Sequence, residues 1–423
     1  MTPTSDPLSR PLSLALSVLI PFAVAFALGN YFRFVNAILA PHLVADLNLT
    51  AGNLGLLVSA YFLVSALFQV PLGLMMDRFG PRRVQAVLIA LGGVGALIFA
   101  AAATWPIALL GRIIMGVGAA GALMTSFQAV ALWFPKTRWP FFNGVIMSVG
   151  GIGSLLATLP TEWLIGFFGW RSLMVGIAIA CFISGAMLGS IVPETRGDRP
   201  AGSLAVQFRG LGEVYRNRIF WRVAPLFMTT VGSNVAVQSL WAGTWLRDVA
   251  GLAPAEIARE LAILSVIQIF VFVSTGLIAS ELNRRGVPLI RVVIFGSGLY
   301  IISQAPLVLP TGVGRWIVLL GMGLLSNANT LCYPILSQHV PQRLIGRAST
   351  ALNTFFFIGA FTLQYGVGII IEIFEPEITG EYPVVAYQLA FGAMVAMQAL
   401  SWLWLLVPPR NEPKLPAAPP NSP

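Results

Sequence analysis

Long apolar runs separated by short charged punctuation dominate the chain, and their lengths predict helices that cross a bilayer. Such a helix needs roughly 20 apolar residues to traverse about 30 Å of hydrocarbon. Reading the runs between charges places spans 1 to 6 near Leu14–Ala40, Gly52–Met75, Val84–Ala103, Ile107–Trp133, Phe142–Ile165 and Trp170–Ile191. Spans 7 to 12 fall near Val223–Trp245, Ile257–Ala279, Val287–Leu309, Arg315–Leu336, Ala348–Phe374 and Val384–Leu406. The longest polar stretch, Pro193 to Arg222, is rich in arginine and separates span 6 from span 7. The expected organisation is a bundle over 1–192, a cytoplasmic linker over 193–222, a second bundle over 223–407 and a proline-rich disordered tail over 408–423. The fold class is an all-α membrane protein of about twelve transmembrane helices in two pseudo-symmetric six-helix bundles.

Composition agrees with that reading. Hydrophobic residues make up 57% of the 423 positions, charged residues 10%, and the mean hydropathy is +0.82. Soluble domains carry about 25% charged residues. The first apolar run is too long for a signal-peptide core and reads as an uncleaved span. Cys181 and Cys332 sit inside apolar runs as free core thiols. His42 and His339 are far apart and no carboxylate cluster accompanies them, so no metal site is expected. No nucleophile elbow, phosphate-binding loop or dinucleotide fingerprint appears, which argues against an enzyme and against any cofactor.

The net charge of +9 changes meaning once the charges are placed. With the N-terminus inside, 19 of the 25 lysines and arginines fall in the cytoplasmic loops and termini; the others are Arg33, Arg112, Arg171, Arg247, Arg259 and Arg315. That asymmetry is the positive-inside pattern. It predicts a multi-pass protein of the cell inner membrane with both termini cytoplasmic, and no nucleic-acid partner.

The two halves echo each other. Gly73-Leu-Met-Met-Asp77-Arg78-Phe-Gly80-Pro-Arg82-Arg83 leaves span 2, and Gly276 opens a similar stretch, ending in Arg284-Arg285-Gly286, 203 residues later. Gly111-Arg112 opens span 4, with Gly314-Arg315 again 203 residues on. Internal repeats of this kind mark secondary transporters, whose substrate site lies at the midplane between the repeats. In the span 2–3 loop and in Gly111-Arg112 with Gly116 and Gly118, the chain resembles the major facilitator superfamily. Pro193-Glu194-Thr195-Arg196 after span 6 is similar to a motif of some members. The resemblance implies two six-helix bundles that rock to give alternating access. Small Gly73 suits close helix approach, and Asp77 is placed to sit near the positive N-terminal end of span 11. Arg82 and Arg83 are placed to reach Glu194, so that Gly73, Asp77, Arg78, Gly80, Arg82, Arg83 and Glu194 form a cytoplasmic latch; the plainer reading is that these charges fix topology. Arg112 is grouped with them, and the resemblance implies a structural role or help with proton movement. Tyr31-Phe-Arg33-Phe-Val-Asn36 resembles span 1 of the organic-anion branches, the anion:cation symporters and organophosphate antiporters. An arginine there helps bind the substrate's acidic group, although the acidic residue that often precedes it is missing here.

An ionisable group within a span costs roughly 2.5–3.5 kcal/mol, so each needs a reason. Arg33 either snorkels to the outer interface or meets substrate. Asn30, Arg33 and Asn36 share a helix face, which suits a water-filled cavity. In span 7, Asn234, Gln238, Trp241 and Trp245 fall on one face by helical spacing, and in span 11 Asn353 and Gln364 repeat a similar spacing. Asn327 in span 10 completes the set of cavity candidates. The alternative for all these amides is interhelical hydrogen bonding, worth about 0.6 kcal/mol each on average. All sixteen carboxylates fall in loops or at span ends, with Glu162 nearest an interior, so no buried proton-carrying carboxylate is expected. A neutral-to-positive cavity favours anionic or neutral solutes. The expected function is a monomeric secondary active transporter of a small organic anion, with or without a co-transported ion, its partners being that solute and the lipid bilayer. Efflux of a neutral or hydrophobic compound, uptake of a metal chelate, and a non-transporting sensor or scaffold are the alternatives.

Overall fold

In lipid every backbone N–H and C=O must be satisfied within its own element, so apolar runs of this length fold as helices. The computed structural model describes residues 11–135, 138–193, 204–309, 314–341, 344–374 and 381–407, nearly all helical. Span 1 is Pro11–Phe34, continued past a break at Val35 by Asn36–Leu47. Spans 2 and 3 form one run, Ala51–Ala100, broken at Gly80, whose φ of 76° only glycine adopts without strain. Span 4 is Trp105–Ala119 with Ala122–Trp133. Span 5 is Trp139–Leu156, prolonged by the start of Leu159–Ile191 as far as a second break at Gly169, where φ is 73°; the remainder is span 6.

A short helix, Leu204–Tyr215, precedes span 7, which is Arg218–Ala236, a π-helical turn over Val237–Trp241, and Ala242–Asp248. Span 8 is Pro254–Arg284, and span 9 is Leu289–Ser303 with Ala305–Val308. Span 10 is Arg315–Leu324, a 3-10 stretch Ser326–Leu331, and Cys332–Gln338. Spans 11 and 12 are Ile345–Glu372 and Val384–Leu406. Nine helical runs among the described residues are long and apolar enough to cross a membrane. Dividing Ala51–Ala100 at Gly80, assigning the part of Leu159–Ile191 before Gly169 to span 5, and adding spans 5 and 7 gives twelve crossings. An even number puts residues 11 and 407 at one end of the bundle, called here the terminal end; the other is the far end.

Each half is held by close helix contacts at small residues. In the first, spans 1 and 5 approach so nearly that a Cβ on Gly153 would lie 2.1 Å from the Ala27 carbonyl. Spans 7 and 11 repeat this in the second, where a Cβ on Gly232 would lie 2.7 Å from the Gly359 carbonyl carbon. Polar locks add to these: Gln304 and Gln398 exchange hydrogen bonds of 3.0 and 3.1 Å between spans 9 and 12. The helix Leu204–Tyr215, inside the expected linker, docks on the terminal end of span 11, with the Tyr215 ring 6.2 Å from that of Phe355. Glu194 and the tail 408–423 lie outside the described residues.

In the last turn of Asn36–Leu47, where that helix has left the apolar part of span 1, Asp46 accepts a 2.9 Å hydrogen bond from the Trp170 indole and pairs with Arg171. The indole N–H, then the guanidinium, hold its carboxyl below the usual range. A lowered carboxyl pKa adds stability that is full above the ordinary value of 3.8 and is lost as pH falls through the lowered one. The pair is about two-fifths exposed, so the effect is small. Asp46→Asn is expected to lower the thermal unfolding midpoint by about 2 °C at neutral pH. That gap should close as the pH falls through the lowered pKa, because the wild-type carboxyl is then protonated as well.

Candidate functional site

Between the halves lies a cavity of about 170 Å³, set from mid-bundle towards the terminal end. Six of the residues singled out in the sequence line it: Asn30 and Arg33 from span 1, Asn234 and Gln238 from span 7, Asn327 from span 10 and Asn353 from span 11. Tyr61, Gln268, Ser326, Thr330 and a group of phenylalanines also line it, and among the described residues no aspartate or glutamate does. A Cβ on Gly150 would lie 2.2 Å from the Phe26 ring and 2.7 Å from the Asn30 amide nitrogen, so a side chain on span 5 there would have to displace both. Gln238 donates to Gln268 at 3.0 Å, and Asn353 donates to Gln69 at 3.0 Å, the latter bond joining the two halves on the terminal side of the cavity. Three buried polar atoms in the wall have no protein hydrogen-bond partner: Arg33 Nε, Asn234 Oδ1 and Asn327 Nδ2. The Arg33 guanidinium also lies 5.6 Å from the ring centroid of Phe356, in the other half. Buried polar groups are nearly always satisfied, so these three atoms leave hydrogen-bonding capacity unmet in the wall.

Four other candidates stand away from the cavity. Asn36 is fully buried and turns its amide back on the carbonyls of Phe32 and Arg33 at 3.3 and 3.1 Å, where span 1 breaks. Trp241 donates to the Gln364 carbonyl at 2.9 Å and Ser239 to the Gln364 side chain at 3.3 Å, while Trp245 is 2% exposed. These residues belong to the far end, where the halves have closed. A Cβ on Gly243 of span 7 would lie 2.6 Å from the Ala37 carbonyl of span 1, and one on Gly368 of span 11 would lie 2.7 Å from the Ala51 carbonyl of span 2. Tyr382 accepts from the Ala51 N–H at 3.0 Å, again across the halves.

The carboxylate expectation needs correction. Glu162 is half-buried, whereas Asp248 and Glu260 have side chains only 1% and 3% exposed. Both are at span ends, as expected, but those ends pack inside the far side of the second half. Each has an arginine: Arg247 Nε is 2.5 Å from Asp248, and Arg315 Nε is 2.9 Å from Glu260. Asp248 also accepts from the Tyr387 hydroxyl at 2.6 Å. Gln268 was missed, although it is a lone amide in the apolar run of span 8 and that signal was available. Tyr61 was missed too, since a single tyrosine in an apolar span reads as core.

On the terminal side, Gly73 is half-buried one turn before Asp77, and Gly80 turns the chain into span 3. Asp77 is exposed, the Arg78 guanidinium lies 5.2 Å from the Phe79 ring, and Arg82 reaches span 6 by donating to the Gly189 carbonyl. Arg83 leads into span 3. Arg112 is buried beside span 1, with Nη1 on the Phe32 carbonyl at 3.0 Å.

Two six-span halves enclosing a polar cavity are what a rocking carrier requires, and the sequence decides the family: a sequence model of the Major Facilitator Superfamily matches residues 21–363. The chain is a member of the major facilitator superfamily. It is a multi-pass membrane protein and a secondary transporter, not an enzyme. Among relatives of this superfamily member is the "Probable sulfoacetate transporter SauU" of Cupriavidus necator, 22% identical over 393 residues, covering 87% of this chain and 88% of that one. Another is the nitrite extrusion protein of Bacillus subtilis, 24% identical over 279 residues, covering 61% of this chain and 68% of that one. A solved bacterial homologue of the human lysosomal transporter Spinster, inward-facing and unoccupied, superposes with a TM-score of 0.74 at 16% identity, covering 94% of this chain and 96% of that one. The nucleoside transporter NupG superposes at 0.73 with 15% identity, covering 93% and 100% respectively. At these identities the structural likeness speaks to the fold alone.

Proposed function

We propose that this transporter moves a small organic anion, a carboxylate or related acid, across the inner membrane by alternating access, with both termini cytoplasmic. The observation that carries the reading is Arg33: a guanidinium in the cavity wall whose buried Nε has no protein partner, in a wall to which no described residue contributes an acidic side chain. An unpaired charge in the membrane interior is costly unless a ligand neutralises it. Asn234 on span 7 and Asn327 on span 10 then orient the rest of the solute from the second half. Two relatives are named for anions, sulfoacetate and nitrite, which is consistent with the reading. The cavity of about 170 Å³ holds one small solute and a few waters.

In this scheme the far-end contacts through Gly243, Gly368 and Tyr382 close one face, and Gly73, Asp77, Arg78, Gly80, Arg82, Arg83 and Glu194 act at the cytoplasmic face. A second reading, efflux of a neutral hydrophobic compound, is favoured by one feature, the phenylalanines at 26, 34, 272, 356 and 357 in the wall. Thermal unfolding of the detergent-purified protein against small carboxylates, sulfonates, cations and neutral aromatics separates the two, because a ligand of the folded state raises the midpoint by mass action. Stabilisation by anions alone is the expected result. Stabilisation by neutral aromatics alone would replace this reading with the second.

A further inference from the structure

Arg112 is 1% exposed, and among the described residues it has no ion-pair partner. Its Nη1 donates to the Phe32 carbonyl, but Nε and Nη2 are buried without any hydrogen-bond partner. Its counterpart in the second half, Arg315, is matched to Glu260 at 2.9 Å. Repeat symmetry therefore presents two equivalent arginines, one with a carboxylate and one without. The arginine without one stands directly behind the cavity. Its guanidinium is 5.2 Å from the ring centroid of Tyr61, Tyr61 lines the cavity, and the same tyrosine lies within electrostatic reach of Arg33. Gly116, one turn beyond Arg112, holds this spacing: a Cβ there would lie 2.8 Å from the Tyr61 carbonyl. A single ring thus stands beside two guanidiniums, and each has buried N–H groups left over.

We propose that the cavity is built for a dianion, with Arg33 meeting one acidic group and Arg112, a positioning residue, reading the second charge through Tyr61. This rests on the anion reading of the same cavity and adds the valence of the solute. A monoanion leaves one buried guanidinium uncompensated, whereas a dianion leaves none. Charges one ring apart in a poorly polarisable interior still interact strongly. The class is a short acid with two ionised groups, such as a dicarboxylate or a sulfocarboxylate, small enough for about 170 Å³.

The test compares near-isosteres that differ by one charge. Binding of malonate and succinate to the purified full-length protein at neutral pH is measured beside that of their monoamides. In wild type the dianions are expected to bind at least about tenfold more tightly. Arg112→Gln should bring that ratio to about one and change monoamide binding by less than about threefold, while Arg112→Lys keeps the ratio. Arg112→Met serves if the glutamine variant does not fold. Equal binding of dianion and monoamide in wild type overturns this inference and leaves the anion reading standing. So does a ratio unchanged in Arg112→Gln or Arg112→Met, since a merely structural arginine would lower both affinities together. If no anion of either valence binds, the anion reading fails and this one falls with it.

Discussion

Arg33→Ala is expected to abolish stabilisation by anionic ligands and to weaken their binding by about a hundredfold. Truncating one member of a buried, hydrogen-bonded charge pair costs about 2–5 kcal/mol, and about 3 kcal/mol corresponds to roughly that factor. The loss should appear only with ligand present. Arg33 Nε has no protein partner, and the guanidinium meets the second half at the Phe356 ring, 5.6 Å away, rather than through an ion pair among the described residues. The unliganded midpoint should therefore move by no more than about 3 °C. Arg33→Lys keeps the charge and gives up the planar fork, so an intermediate loss of about tenfold is expected. Calorimetric binding and transport into vesicles both measure this. An alanine variant that binds carboxylates as wild type does would return Arg33 to the role of a helix-end anchor and remove the charge partner from the proposal.

The features that make Arg33 stand out are legible without coordinates, since a charge in an apolar run has few reasons to be there. The same is true of the twelve crossings, because charged punctuation and apolar length are one-dimensional signals. Depth along the bundle is not. Trp241, Trp245 and Gln364 carry the helical spacing of a cavity face, yet they lie where the halves have closed, and spacing says nothing about which level is open. Span 7 adds a second difficulty: the π-helical turn at Val237–Trp241 advances each residue by a smaller rotation than an α-helix does. A face extrapolated at 3.6 residues per turn from Asn234 therefore drifts before it reaches Trp245. Burial at span ends was hidden for a related reason. Asp248 and Glu260 look like interface residues by position, but Tyr387 of span 12 and Arg315 of span 10 meet them from sequence-distant elements and their side chains are buried. The pairing of Arg315 with Glu260, against the unmatched Arg112, becomes visible only when two sequence-distant spans are brought side by side. The repeat offset showed the arginines as equivalents and gave no sign that their partners differ.

Gly243→Val tests the seam itself and is expected to stop transport while leaving both halves folded. A Cβ at that position lies 2.6 Å from the Ala37 carbonyl, a backbone atom that cannot swing away as a side chain would. Accommodating valine requires spans 1 and 7 to separate at the far end. The contact joins the two halves and lies inside neither, so the strain acts on the closed arrangement rather than on either bundle. Overpacking of this kind costs about 3 kcal/mol, enough to shift a two-state equilibrium about a hundredfold against the far-closed form. A carrier that cannot close one face cannot complete a cycle, so transport should fall by at least that factor, and the unfolding midpoint should change by no more than about 4 °C. A cysteine in place of Ala40, which lines the small gap in this seam, reports the opening directly. Its labelling by a hydrophilic maleimide should rise in the Gly243→Val background, against low labelling of the buried native Cys181 and Cys332. Wild-type transport with unchanged labelling would mean that the far end does not need this contact to close. A large fall in the midpoint would mean that Gly243 holds the second half together and says nothing of the seam; Gly368→Val, which meets the Ala51 carbonyl at 2.7 Å from the other side, would then be the variant to read.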